Sequence, residues 1–189
     1  MKYYYTSTKI PGWFHVGILA TDYGIRRLTF SSKAEGLKKQ IVSDEEKKTK
    51  DNIAISEKSS TDFLARAPRQ ITEYCARQRR SFNLPLDISH YSSFYQMIWV
   101  VTMGIPFGAV RSYGWVAQQA GKPGAMRAVG QAMAANPIPL IIPCHRIIRQ
   151  NGTIGGYSAG LPLKRKFLEL EKIKVENNIV LPSNTLSNP

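Results

Sequence analysis

Cysteine is scarce in this 189-residue chain: there are two, Cys75 and Cys144. Two thiols that far apart do not make a disulfide framework, and they point to a reducing interior with free cysteines. A targeting segment is missing too, because MKYYYTSTKIPGWF has the character of neither a signal peptide nor a transit peptide. No apolar run reaches the roughly 18 residues of a spanning helix; the longest stretch, between Ile98 and Val110, is broken by Thr102, Gly104 and Pro106. Internal repeats and low-complexity tracts are absent. Acidic residues are few, 13 against 26 Lys and Arg, which leaves a net charge of +13. Residues 93–172 carry nine basic and only two acidic side chains. These deficits exclude a membrane-spanning or disulfide-stapled protein. They predict a soluble intracellular one, cytoplasmic or nuclear, with no membrane partner. A basic balance suits a polyanionic partner but does not by itself establish one.

What is present centres on IIPCHRII, residues 141–148. Cys144 stands between Pro143 and His145, behind an apolar run from Ile138 to Ile142 that reads as a buried, extended segment. A lone cysteine is often a small buried hydrophobe. Here His145 and Arg146 follow directly, and a nearby imidazole or guanidinium lowers a thiol pKa and makes a nucleophile.

The rest of the chain frames that segment. Alternation over residues 12–30 around Thr21-Asp22-Tyr23-Gly24 predicts a β-hairpin, and residues 2–9 offer a further strand. Residues 31–60 are polar and mixed in charge, and read as a loop with at most a short helix. Phe63, Leu64, Ala67, Ile71, Tyr74 and Cys75 recur at helical spacing, so Cys75 belongs to a helix's core face. Asn83–Asp87 reads as a linker, after which Phe94, Ile98, Trp99 and Val101 mark a new helix. Tyr113–Ala120, the break Gly121-Lys122-Pro123-Gly124 and Ala125–Ala135 have helix-turn-helix spacing. The second of these helices is rich in Ala and Gly, with Arg127 its one charge, and small side chains allow close approach to a groove. Asn136, ahead of Pro137, reads as a hinge that tolerates a left-handed backbone. Asn151-Gly152 between apolar residues predicts a turn that folds the chain back toward the thiol. Pro162 opens a helix striped with Leu163, Phe167 and Leu170, with Glu171 at its edge. Residues 174–189 read as a flexible polar tail.

From Phe94 to Glu171 the chain resembles the O6-alkylguanine-DNA alkyltransferases, also called methylated-DNA-protein-cysteine methyltransferases. The carriers are IPFGAVRSYGWVA, GKPGAMRAVGQAMAANP, IPLIIPCHRII, GTIGGYSAGL and LPLKRKFLELE. The resemblance implies a mixed α/β (α+β) protein. Residues 1–92 would form a small antiparallel sheet-and-helix domain, ribonuclease H-like. Residues 93–173 would form a mostly helical, winged-helix-like domain that binds DNA. It further implies a single-turnover transfer of an alkyl group from O6-alkylguanine in duplex DNA to Cys144 by a monomer, with O4-alkylthymine as a second candidate substrate. By the same resemblance Cys144 is the nucleophile, His145 the base acting through a water, and Glu171 the group that orients His145. Tyr113 is the proton donor to guanine N3, and Asn136 joins the catalytic set. Tyr113, Pro139, Ile147, Tyr157 and Ser158 surround the substrate, the Ser158 N–H holding O6. Ala125, Arg127, Ala128 and Gly130 meet DNA, with Arg127 filling the gap left by a flipped base. Some members hold a structural zinc in the first domain. His15, Cys75 and His90 are too few and too scattered for one, so no metal and no cofactor is expected.

Two other classes use the same features. A Cys-His hydrolase also activates a thiol beside a base, and a DNA-binding regulator also uses paired helices. Repeated turnover marks the first, and the absence of covalent change marks the second.

Overall fold

A computed structural model describes residues 1–56 and 62–181. It contains a mixed α/β chain with a small antiparallel sheet and, among the described residues, six α-helices. The chain divides into two compact units, Met1–His90 and Tyr91–Pro189.

In the first unit, β1 (Tyr3–Ile10), β2 (Phe14–Thr21) and β3 (Ile25–Ser31) form a meander in the order β1-β2-β3. The expected hairpin is there, turned by Thr21 N–H donating to the Gly24 carbonyl at 3.0 Å. The segment expected to be a loop is not one, because Leu37–Thr49 forms a 13-residue helix, α1. Its inward positions are Leu37, Ile41 and Glu45. The third is a carboxylate, so the apolar periodicity stops after two turns. Glu45 is tolerated there because Arg26 Nε donates to it at 2.6 Å and Arg27 Nε at 2.9 Å. Arg26 also donates to Asp87 at 3.0 Å, fixing the segment that follows α2 (Asp62–Cys75). Cys75 is buried at the end of that helix.

In the second unit, α3 (Ser93–Met103) precedes β4 (Arg111–Ser112), α4 (Tyr113–Gln119) and α5 (Met126–Ala134). Ser112 caps α4, its hydroxyl accepting from Trp115 N–H at 3.1 Å. The strand β5 (Ile147–Ile148) runs parallel to β4, pairing Arg111 with Ile147 and Ser112 with Ile148. That pairing matters for function, because it ties the start of α4 to the strand leaving Cys144.

The helix α6 (Leu161–Leu170) ends in a Schellman arrangement. Lys172 is left-handed at φ 64°, Lys172 N–H donates to the Glu169 carbonyl and Ile173 N–H to that of Leu168. Leu168 and Ile173 then meet in one core cluster with Val110, Ile148, Ile154 and Val180. Residues 175–181 are not a frayed tail: β6 (Val175–Glu176) pairs with β7 (Ile179–Val180), and Val180 is buried in that cluster. The remainder of the expected tail, 182–189, and residues 57–60 of the expected loop lie outside the described residues.

Candidate active site

The approach to Cys144 is a tight turn and not an extended run. Ile142 N–H donates to the Ile138 carbonyl at 2.9 Å, and Leu140 adopts φ 80°. A left-handed leucine is strained, and its burial at 1% exposure holds it in place. Asn136 is the clasp of this turn. Its Oδ1 accepts from Ile138 N–H at 3.0 Å, and its Nδ2 donates to the Ile142 carbonyl and to Cys144 Sγ, both at 3.0 Å. It is therefore a fixed buried cross-link where the sequence suggested a hinge, and the left-handed residue is Leu140. Cys144, His145 and Arg146 then form one 3-10 turn, all buried.

Both residues after the thiol bond to the Glu171 carboxylate. His145 Nε2 lies 2.7 Å from Glu171 Oε1. Arg146 grips both oxygens of the same carboxylate at 3.0 to 3.1 Å and donates to the Ile105 carbonyl at 2.6 Å. Gly108 N–H completes the set, donating to Glu171 Oε2 at 2.8 Å. These donors hold the Glu171 carboxyl down at about 2 despite its burial. As an anion it can only accept, so the His145 proton sits on Nε2. Burial keeps His145 below its ordinary pKa, against the pull of Glu171, and the ring is neutral.

The thiol itself is raised by burial, not lowered by His145 or Arg146. What opposes burial is the Asn136 amide hydrogen bond and then the charge of Lys164. Sequence reasoning missed Lys164, a charged residue that reads as part of the polar face of α6. It is fully buried, with Nζ 2.6 Å from the Ile147 carbonyl and 3.3 Å from that of Gly156, and its pKa falls to about 8. The signal for it lay in position: Lys164 and Phe167 are three apart and share a face of α6.

Cys144 opens on a cavity of about 300 Å³. Tyr113 enters it from the start of α4, Gly130, Met133 and Ala134 from α5, and Gly156, Tyr157 and Ser158 from the loop before α6. Burial raises the Tyr113 phenol, with the neighbouring thiol adding to the effect, so the hydroxyl keeps its proton. Pro139 and Ile147 are buried and are not among the residues that line the cavity, Pro139 bridging to Ile142 and Ile147 lying in β5. Arg127 is exposed on α5, one helical turn before Gly130. Ala125 lies at the helix start and Ala128 within its first turn and a half. No group of three or more His, Cys, Asp or Glu that could hold a metal occurs among the described residues, and no described helix is long and apolar enough to cross a membrane.

Residues 93–173 match the family described as 6-O-methylguanine DNA methyltransferase, DNA binding domain. A Mycobacterium bovis methylated-DNA--protein-cysteine methyltransferase is 45% identical over 100 residues, which cover 53% of this chain and 60% of that relative. The crystal structure of Mycobacterium tuberculosis O6-methylguanine methyltransferase superposes with a TM-score of 0.69 at 31% identity, covering 90% of this chain and 93% of that one. A structure of the M. tuberculosis protein in complex with DNA gives a TM-score of 0.65 at 30% identity, covering 91% and 93%.

Proposed function

The chain belongs to the O6-methylguanine-DNA methyltransferase family, and we propose that it repairs alkylated DNA by moving the alkyl group from guanine O6 to Cys144, once per molecule. The observation that carries this reading is the placement of a buried thiol at a base-sized cavity, with the next residue, His145, a neutral imidazole on an anchored carboxylate.

The chemistry follows from the geometry. With Nε2–H committed to Glu171, a proton leaving Sγ would pass through a water to His145 Nδ1, and Glu171 would stabilise the imidazolium. The thiolate displaces guanine from the alkyl carbon: the S–C bond forms as the C–O6 bond breaks. Tyr113 gives its hydroxyl proton to N3, so the base departs neutral, and the Ser158 N–H holds O6. Asn136 steadies the sulfur. Tyr157 flanks the base, while Pro139 and Ile147 support the wall from behind. The thioether is stable, so the protein is consumed.

Duplex DNA is the proposed partner and the protein acts as a monomer. Helices α4 and α5 serve as the helix-turn-helix of a winged-helix-like domain, with residues 1–90 as a ribonuclease H-like companion. Ala125, Ala128 and Gly130 give α5 a low profile against the minor groove, and Arg127 stands where a flipped base would leave its gap.

Intact-mass measurement after incubation with duplex DNA containing O6-methylguanine tests the reading. One added methyl per molecule is expected, located on Cys144 and absent from Cys144→Ser. Repeated turnover would indicate a hydrolase, and an unchanged mass a DNA-binding regulator.

A further inference from the structure

In the alkyl transfer the negative charge starts on one residue of the cavity and ends on another. It leaves Cys144 Sγ as the S–C bond forms, passes to guanine as the C–O6 bond breaks, and reaches Tyr113 Oη when the phenol gives its proton to N3. At the sulfur it is met by the Asn136 amide and the charge of Lys164. At the phenol oxygen burial opposes it, so a counter-charge is needed there.

Arg149 is placed to supply one. A Cβ built on Gly155 would lie 3.5 Å from Tyr113 Oη and 3.6 and 3.8 Å from Arg149 Cγ and Nε, so the phenol and the arginine side chain converge on the same bare backbone. Gly155 has φ 65°, a left-handed conformation that disfavours any side chain between them. The arginine also springs from a closed turn. Arg149 N–H donates to the Thr153 carbonyl at 2.8 Å, and the Arg149 carbonyl accepts from Gly152 N–H at 3.0 Å. Among the described residues no carboxylate pairs with its guanidinium, so its charge is not already neutralised. Two ionisable groups among those residues act on the Tyr113 phenol: Cys144 pushes its pKa up and Arg149 pulls it down.

We propose that Arg149 is a positioning residue of the alkyl transfer: its guanidinium stabilises the negative charge that develops on Tyr113 Oη as the phenol proton moves to guanine N3. The O–H bond of Tyr113 breaks as N3–H forms, and the thiol proton rests on His145. Guanine then leaves neutral, with phenolate and imidazolium as the remaining pair of charges. Arg149 itself exchanges no proton and does not touch the alkyl group. This rests on the alkyl-transfer reading above and adds the group through which Tyr113 becomes an effective acid.

A double-mutant cycle in the full chain tests it, read as single-turnover methyl transfer from duplex DNA containing O6-methylguanine with protein in saturating excess. Arg149→Met should slow transfer by about tenfold, the scale of one unit charge acting at close range. Arg149→Lys keeps the charge and should recover most of the rate. General-acid help is worth about 10²–10⁴-fold, so Tyr113→Phe should be slow but measurable over hours. In that background Arg149→Met should have no further effect, because the oxygen through which Arg149 acts is gone. A phosphate contact, or a brace for the turn, would survive the loss of one hydroxyl, so equal slowing in both backgrounds would overturn the proposal. An unchanged rate in Arg149→Met alone, or no recovery in Arg149→Lys, would also overturn it. A wild type that moves no methyl group would instead sink the alkyl-transfer reading itself.

Discussion

The Lys164 ammonium stands 2.6 Å from the carbonyl oxygen of Ile147, three residues past the cysteine it influences. Its hydrogen bonds go to two carbonyls, one on the strand leaving Cys144 and one on the cavity loop at Gly156. A buried cation bound only to neutral oxygens favours negative charge nearby. The group placed to supply that charge is the thiolate formed when Cys144 loses its proton.

Lys164→Met should therefore slow alkyl transfer by about tenfold or more, the equivalent of losing one charge-assisted interaction. Stability should respond less. The carbonyls lose a donor, but the desolvated charge disappears with it, and such exchanges are often nearly neutral. Single-turnover rates set beside urea unfolding check this, and a stability loss that matches the rate loss would make Lys164 a purely structural brace.

Glu171→Gln removes the common partner of His145, Arg146 and Gly108. Breaking a buried pair on one side strands the other charge, so a loss of about 3–5 kcal/mol in unfolding free energy is expected. Transfer should fall as well, because His145 loses the carboxylate that stabilises its charged form. Urea unfolding and the single-turnover rate measure the two effects separately.

The same carboxylate predicts an acid limit. Its folded pKa, about 2, lies below the ordinary 4.5, so the unfolded chain binds the proton first as pH falls. Its stabilising contribution is present in full above about pH 4.5 and is lost between there and about pH 2. Wild type should lose stability across that window. Glu171→Gln, which has no such proton to bind, should show a flatter profile in urea unfolding at stepped pH.

These residues also show what the sequence could disclose. Residues 94–171 yielded the helices, because apolar spacing and Gly/Pro punctuation there agree with the fold, but the approach to Cys144 read as extended and is a turn held by Asn136 and a left-handed Leu140. Two features stayed hidden for one physical reason: a charged residue occupied a core position. Glu45 broke the periodicity of α1, and Lys164 looked like part of a solvated helix face. Each is tolerated through partners distant in sequence, Arg26 and Arg27 for the first and two backbone carbonyls for the second. The thiol's environment was misread because adjacency in sequence was taken for adjacency in space. His145 and Arg146 turn toward Glu171, while Asn136, eight residues upstream, reaches the sulfur.

Asn136→Ala should raise the Cys144 pKa further, since the amide hydrogen bond is the largest influence opposing burial. The rate of thiol labelling by iodoacetamide should shift to higher pH, and transfer at neutral pH should slow. The Ile138 N–H and Ile142 carbonyl lose their partner at the same time, at a cost of about 1–3 kcal/mol each if left unsatisfied. An unchanged labelling profile would mean that the contact to Sγ does not tune the thiol.

Arg127 separates base flipping from a simple phosphate contact. It is exposed, it is the only charged residue from Ala125 to Asn136, and it lies one turn before Gly130 at the cavity. As the proposed wedge, it would stand at the edge of the space a flipped base would enter. Flipping costs a few kcal/mol of stacking and pairing, so Arg127→Ala should slow transfer from duplex DNA by about tenfold or more at saturating protein, and leave transfer from free O6-benzylguanine unchanged. A phosphate contact predicts a different pattern: weaker affinity, a salt slope reduced by about one, and little change in rate once the DNA is saturated. Equal slowing of duplex and free base would place Arg127 in support of the pocket, since the free base needs no unstacking. The two substrates share every later step, so any difference between their rates belongs to the flip.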